Sequence, residues 1–174
     1  DKSQLIKRHL DTLAKEYQEK FLVPTARTLA SFLFQEKGFK GNADDYYNPQ
    51  NSNLLFVLEK RMGIPISLTT LYILVGSRVG VSIEGCPFPN YFIARIKDGA
   101  ETFYVDCFNQ GAIFSVQDML NGKKGSIKNI KSYLDEKVEF EHIVRQFLGN
   151  LIRSFQLKNR VEIFDVLIGL FKDL

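Results

Sequence analysis

Three polar residues in the middle of the chain have the types and order needed for acyl-transfer chemistry. Ser67 lies at the predicted start of an apolar helix, and Tyr91 and Asp106 lie on two successive predicted strands. The start of a helix carries the positive end of its dipole and free N–H groups, which can stabilise an oxyanion. A nucleophile there, a base on one strand and an orienting carboxylate on the next would form a catalytic triad.

The residue types fit such a triad poorly. A serine hydroxyl needs a base, and a tyrosine with an ordinary pKa of about 10 is a poor base near neutral pH. Asp106 then has no titratable partner to orient. Ser67 could instead cap its helix, Tyr91 could bond its hydroxyl at the edge of the core, and Asp106 could accept hydrogen bonds from loop amides. The residues alone leave both interpretations open.

Other reactive residues give weaker signals. Cys86 lies in a predicted Gly-Cys-Pro-Phe-Pro loop and could be a nucleophile, but neither His9 nor His142 is placed to serve it. With Cys107 it cannot form a disulfide framework, so two reduced thiols are expected. The two histidines are too few for a recognisable zinc pattern, and no glycine-rich phosphate loop, nucleophile elbow or CxxC motif is present. We therefore expect no metal and no cofactor.

Length and composition indicate an ordinary globular domain. The chain has 174 residues, of which 45% are hydrophobic and 25% charged. These values predict one domain, with room for an appendage, and exclude intrinsic disorder, a collagen-like repeat and a coiled-coil rod. No apolar stretch approaches the roughly 18 to 20 residues of a membrane span, so a cytoplasmic protein without a membrane partner is expected. The first residue is Asp1, which suggests a trimmed fragment or a processed product.

The net positive charge of the chain is concentrated in one segment. The chain carries 23 basic and 20 acidic residues, and residues 121–138 hold five lysines against Asp135 and Glu136. A balanced body with one lysine-rich segment and no arginine stripe is a weak signal for nucleic-acid binding. We expect a solvated loop. The alternative is a regulator that contacts nucleic acid weakly through Lys123–Lys131.

Hydrophobic spacing predicts four helices before the sheet. Residues 4–20 predict the first and residues 25–38 the second. Asn51 or Ser52 is expected to cap a third helix that ends at Gly63. A fourth helix is predicted over residues 65–79. It is apolar nearly all round, which is typical of the buried centre of a domain, and its length favours a helix over the alternative of a strand.

The pattern then changes to strands and returns to helices. A short strand is expected near residues 81–83, and two β-rich runs, 91–97 and 102–108, are joined by Asp98-Gly99, a strong hairpin signal. Helices, a small meander of strands and further helices make an α+β arrangement. The expected C-terminal elements are a short helix from Ser115 to Leu120 and a pair of helices over residues 140–155 and 161–171.

Three groups of residues together match the pattern of one known family. They are Gly63-Ile64-Pro65-Ile66-Ser67-Leu68 with Asn51-Ser52 upstream, Phe88-Pro89-Asn90-Tyr91-Phe92, and Val105-Asp106-Cys107-Phe108-Asn109-Gln110-Gly111. With these segments the chain resembles the SirB-type transglutaminase-like proteins. The resemblance covers roughly residues 29–115, and the helices beyond it look like the family's tetratricopeptide-like tail. It implies a papain-like core, a central buried helix on a small antiparallel sheet, over residues 1–135, and a helical hairpin packed on it over residues 136–174.

The resemblance also implies which residues of this chain stand at the three triad positions. Catalytic transglutaminases carry Cys at the helix start, His on the next strand and Asp on the following one. Ser67 stands at the Cys position, Tyr91 at the His position, and Asp106 matches the Asp. Asn90, Cys107 and Gln110 replace a usual Gly, Pro and Gly. Thiol acyl transfer needs the Cys–His pair, so these triad-equivalent residues are predicted to be inactive.

The prediction is therefore a non-catalytic scaffold that binds an unknown protein or peptide, with self-association through the helical tail as a further hypothesis. The alternative is a hydrolase or acyltransferase that depends on Ser67. Candidate binding residues are Asn51, Ser52, Asn90 and Asn109.

Overall fold

The computed structural model describes residues 1–88, 91–122, 138–158, 163 and 167–169, and this part of the chain is α+β. The α-helices are α1 (Lys2–Lys20), α2 (Ala26–Ala30), α3 (Leu54–Lys60), α4 (Pro65–Arg78), α5 (Val116–Gly122) and α6 (Phe140–Leu157). A π-helical segment, Ser31–Glu36, continues α2, and a short 3-10 helix spans Pro49–Ser52. The strands are β1 (Lys40–Gly41), β2 (Met62–Gly63), β3 (Ile83–Phe88), β4 (Tyr91–Asp98), β5 (Glu101–Asp106) and β6 (Ala112–Phe114).

The centre of the molecule is α4, as the sequence predicts. It begins at Pro65, whose fixed backbone suits the first helical turn. The helix packs against α1 and α3 as well as against β3 and β4, so it is buried on nearly every side. A strand in this segment, the alternative that its Val, Ile and Thr content left open, is wrong. Its buried residues are Pro65, Ile66, Ser67, Leu68, Thr69, Leu71, Tyr72, Val75 and Gly76.

The sheet that faces α4 is antiparallel, in the order β3-β4-β5-β6. The predicted hairpin is confirmed: Asp98 pairs with Glu101 across a tight turn in which Gly99 has a φ of +61°. Cys86 lies inside β3, paired with Ile93 and fully buried, so its expected place in a loop is wrong. The sequence also missed β6, since three residues carry no alternation to detect.

A second sheet consists of two short strands, β1 and β2. Strand β1 pairs in parallel with β2, with Lys40 opposite Met62. The cap predicted for α3 was also wrong, because Asn53, and not Asn51 or Ser52, accepts the hydrogen bond from Leu55 N at 3.1 Å. The helix ends at Arg61 in the left-handed conformation, before Gly63. Asn51 cannot cap α3 because its side chain is buried and bonded elsewhere.

Beyond the sheet, Ser115 caps α5 as predicted, accepting a hydrogen bond from Asp118 N at 3.1 Å. Helix α6 packs Ile143 and Phe147 against a small apolar cluster of Ile64, Ile66 and Phe92. The lysine-rich segment and most of the predicted second helix of the C-terminal pair lie outside the described residues. In the part of the chain that the structure describes, no helix combines the length and apolar character needed to cross a membrane.

Candidate functional site

Ser67 is the third residue of α4, and its hydroxyl is used to start that helix. The side chain is fully buried. Its Oγ accepts a hydrogen bond from Ile64 N at 3.1 Å and donates one to Ile64 O at 3.1 Å. The hydroxyl also faces Gly63 so closely that a Cβ on this glycine would stand 2.6 Å from Oγ. The local contacts of Ser67 are therefore those expected of a residue that caps the start of its helix.

Tyr91 and Asp106 meet across the pair of strands β4 and β5. The Tyr91 hydroxyl donates a hydrogen bond to Asp106 Oδ1 at 2.8 Å. Burial, and then the hydrogen bond and charge of Asp106, raise the pKa of Tyr91 above its ordinary value. Because the hydroxyl is held protonated, Tyr91 is a hydrogen-bond donor and cannot accept a proton as a general base near neutral pH.

Asp106 organises the turn that follows β5. Its Oδ1 also accepts hydrogen bonds from Phe108 N at 3.2 Å and Asn109 N at 3.1 Å. Its Oδ2 accepts one from Asn109 Nδ2 at 2.7 Å, and the same Nδ2 lies 3.3 Å from the Tyr91 hydroxyl. The structure thus brings Tyr91, Asp106 and Asn109 together. Among the described residues, neither Tyr91 nor Asp106 forms a hydrogen bond with Ser67.

Of the other predicted binding residues, the two that the structure describes, Asn51 and Ser52, lie in the 3-10 helix before α3. Asn51 is fully buried, where its Nδ2 donates to Asp45 O at 2.8 Å and Tyr46 O at 3.0 Å and its Oδ1 accepts from Asn42 at 2.9 Å. Ser52 is half-buried at the end of the 3-10 helix. Asn90 lies outside the described residues. Asn51 therefore fixes the path of the Asp45–Tyr46 backbone.

Two clefts lie away from these residues. One, of about 560 Å³, separates α6 from the loop that Asn51 holds, and the other, of about 770 Å³, lies between β5 and the start of α5. The first cleft was not predicted from the sequence. The spacing of its α6 residues places them on one helical face, and this pattern could have indicated a shared surface. That cleft is lined by Tyr46, Tyr47, Gln146, Gly149, Asn150 and Arg153.

A row of aromatic rings connects this first cleft with the Tyr91 cluster. The ring of Tyr46 lies 5.2 Å from that of Tyr47 and 5.7 Å from that of Phe108, measured between centroids. Phe108 in turn lies 6.4 Å from Tyr91. The ring of Phe108 thus lies between the wall of the cleft and Tyr91, the position at which the resemblance places the catalytic His.

The two cysteines are enclosed within the fold. Cys86 and Cys107 are both buried, and burial raises the pKa of the Cys107 thiol. Within the described ranges, no three His, Cys, Asp or Glu side chains are grouped as metal ligands would be.

Comparison with known proteins identifies the family. The family model described as transglutaminase-like superfamily matches residues 4–148, most of the chain. The chain belongs to the transglutaminase-like superfamily. The superfamily part of the sequence-based prediction is thereby confirmed.

Relatives of this superfamily member occur in bacteria and animals. A UPF0162 protein of Xylella fastidiosa is 34% identical over 116 residues, which are 66% of this chain and 41% of that protein. A UPF0162 protein of Vibrio cholerae is 32% identical over 130 residues, 72% of this chain and 47% of that protein. F-box only protein 21 of Mus musculus is 33% identical over 130 residues, 69% of this chain and 20% of that protein.

The chain thus spans less than half the length of each of these relatives. No solved structure shows significant similarity to it.

Proposed function

We propose that this superfamily member is a non-catalytic, SirB-type protein that binds a protein or peptide partner. The observation that carries the proposal is the state of the Ser67 hydroxyl. It is buried and bonded in both directions to the main chain of Ile64. A nucleophile must reach its substrate and be approached by a base, and this hydroxyl meets neither condition.

The residues at the other two triad positions support the same conclusion. The pKa of Tyr91 is raised by burial and by Asp106, so its hydroxyl cannot take a proton from a nucleophile near neutral pH. The two carboxylate oxygens of Asp106 accept hydrogen bonds from Tyr91, from Asn109 and from amides of the turn after β5. The three positions thus stabilise the fold at the place where relatives with a Cys–His pair would react.

The organisation of the chain supports a binding module. Similarity to F-box only protein 21 of Mus musculus covers only 20% of that protein, as expected for a domain used within larger proteins. We propose a transglutaminase-like domain over residues 1–135 and a tetratricopeptide-like tail over residues 136–174. The packing of Phe147 against the cluster of Ile64, Ile66 and Phe92 supports a tail docked on the core. We further propose a cytoplasmic location and self-association through the tail.

The test measures acyl transfer directly. The purified chain is incubated with a glutamine peptide and a fluorescent primary amine, and ammonia release and amide formation are followed. Hydrolysis of an activated ester is measured in parallel. We expect wild type, Ser67→Ala and Ser67→Cys to give the same background rate, because none has a base at position 91.

Ser77→Ala serves as the matched control, since Ser77 lies on the same helix and is exposed. Turnover that is clearly above background in wild type, is lost in Ser67→Ala and persists in Ser77→Ala would overturn the proposal. It would establish the alternative of a Ser67-dependent hydrolase or acyltransferase.

A further inference from the structure

Gly149 lies at a helical position where glycine is unfavourable and where packing does not require it. It lies in the interior of α6, where glycine costs about 1 kcal/mol relative to alanine. A Cβ built on Gly149 would meet no atom of the described residues within 4 Å. The neighbouring structure therefore does not require glycine here. Because glycine has no side chain, the first cleft, which Gly149 lines, stays open at this position.

The wall opposite Gly149 is held in place before any ligand arrives. Asn51 donates a hydrogen bond to Tyr46 O at 3.0 Å from a fully buried position. Asn42 bonds Asn51 in turn, and Asp45 N bonds Asn42 Oδ1 at 3.2 Å. A loop fixed by buried amide groups presents its two tyrosine rings without a further ordering cost.

The lining of the cleft offers hydrogen-bond donors and one positive charge. The Arg153 guanidinium lies 5.3 Å from the centre of the Tyr47 ring, and no carboxylate of the described residues forms an ion pair with it. Gln146 and Asn150 add side-chain amides on the same helical face, and Asn150 Nδ2 uses one of its two N–H groups to donate to Gln146 O at 2.8 Å. Burial, followed by the neighbouring Tyr47, raises the pKa of Tyr46, so that hydroxyl also remains a donor.

Among the residues that the structure describes, no acidic side chain lines the cleft. Asp45, the nearest carboxylate along the chain, accepts a hydrogen bond from Asn48 Nδ2 at 2.9 Å and is not among the lining residues. A single guanidinium with planar donors matches a singly charged, planar carboxylate better than a doubly charged phosphate. The tyrosine rings suit an apolar or aromatic side chain beside that carboxylate.

We propose that this cleft binds an aspartate or glutamate side chain of an extended peptide segment from the partner protein, with Arg153 as its ion-pair partner and the space above Gly149 as its seat. The inference rests on the proposed scaffold function and names the chemistry of the segment that the scaffold recognises. The side chain of an internal residue is the chosen source, because the open space above Gly149 and the exposed position of Arg153 let a peptide pass through the cleft in both directions.

The test is an NMR titration of the whole chain with a defined peptide, acetyl-Gly-Phe-Asp-Phe-Gly-amide. The readouts are the backbone amides of Gly149 and Asn150 and the side-chain amides of Gln146 and Asn150. We expect saturable shifts with the Asp peptide and none with its Asn counterpart. Added salt should weaken the binding, because it depends on one ion pair.

Three variants locate the binding in the cleft. Arg153→Gln removes the positive charge and should weaken the affinity for the Asp peptide by about tenfold or more. Gly149→Leu fills the open space and should abolish binding, whereas Gly149→Ala should keep it and raise the melting temperature. The matched control is Arg145→Gln on the same helix, outside the cleft lining, which should change the affinity by less than about twofold.

Several outcomes would overturn the inference. They are equal binding of the Asn peptide, shifts that map away from α6, tighter binding of inorganic phosphate, and binding only to acetyl-Gly-Phe-Gly with a free terminal carboxylate. Its failure is distinct from that of the proposed function. Absent peptide binding without any turnover removes this inference alone, whereas turnover lost in Ser67→Ala removes the proposed function, whatever the titration shows.

Discussion

The hydrogen bond from Tyr91 to Asp106 has a consequence for stability at high pH. An unfolded tyrosine loses its proton near pH 10, whereas burial and Asp106 raise the pKa of folded Tyr91. The folded state therefore binds more protons, and the free energy of unfolding falls as the pH rises above about 10. We expect Tyr91→Phe to flatten this decline, measured as urea midpoints between about pH 8 and 11. Equal slopes would contradict the assignment.

Part of that decline should remain in Tyr91→Phe. Burial also raises the pKa values of Tyr46 and Tyr72. The comparison with wild type therefore isolates the contribution of one residue.

Asn51 is a second residue whose effect can be measured alone. Asn51→Ala removes hydrogen bonds to Asp45 O, Tyr46 O and the Asn42 side chain, all made from a buried position. We expect the free energy of unfolding to fall by about 3 kcal/mol, because buried polar partners lose their bonds. Urea denaturation measures this, with Ser52→Ala as the neighbouring control of small effect. A change in Asn51→Ala as small as in the control would refute it.

At the scale of elements, the junction of β2 and α4 is built on one close contact. A Cβ at Gly63 would stand 2.6 Å from Ser67 Oγ and 3.1 Å from Val57 Cγ2. Gly63→Ala should therefore cost about 2 kcal/mol, and so should Ser67→Ala, which removes the hydroxyl that accepts the hydrogen bond from Ile64 N.

The double variant should cost less than the sum of the two, since removing Oγ makes room for the added methyl group. A coupling of about 1 kcal/mol in a double-mutant cycle by urea denaturation is expected. Strict additivity would show that the two residues do not share this contact.

What the sequence could predict at this scale depended on local signals. Helix α4 and the Asp98-Gly99 hairpin were predicted because an apolar run and a turn pair are visible over a few neighbouring residues. Strands β1 and β6 were missed because two or three residues have no period. Tyr91 and Asp106 were both singled out as candidates, but their mutual hydrogen bond depends on strand register, which only the folded sheet determines.

The first cleft was missed for a different reason. It joins Tyr46 and Tyr47 to Arg153, about a hundred residues away in the sequence, and no local pattern connects them. The glycine that opens it is visible in the sequence, but the empty space above that glycine is not.

At the scale of the whole molecule, α6 is predicted to be part of one cooperative unit. Phe147 packs against the cluster of Ile64, Ile66 and Phe92 at the base of α4. We expect Phe147→Ala to lower the free energy of unfolding by about 2 kcal/mol and to shift one transition that sheet and helix probes share. Phe140→Ala, at a position 78% exposed, is the control on the same helix. Separate transitions for α6 and the sheet would contradict this.

The burial of Ser67 also sets how often that hydroxyl can meet a reagent at all. Its two bonds to Ile64 are made at the start of the most enclosed helix, so exposing it requires an opening close to global unfolding. For a domain of ordinary stability, at most about one molecule in several thousand is open at any moment. A serine-directed reagent would then report the opening equilibrium of the fold, and its labelling rate would climb with denaturant and not with the strength of any base in the protein.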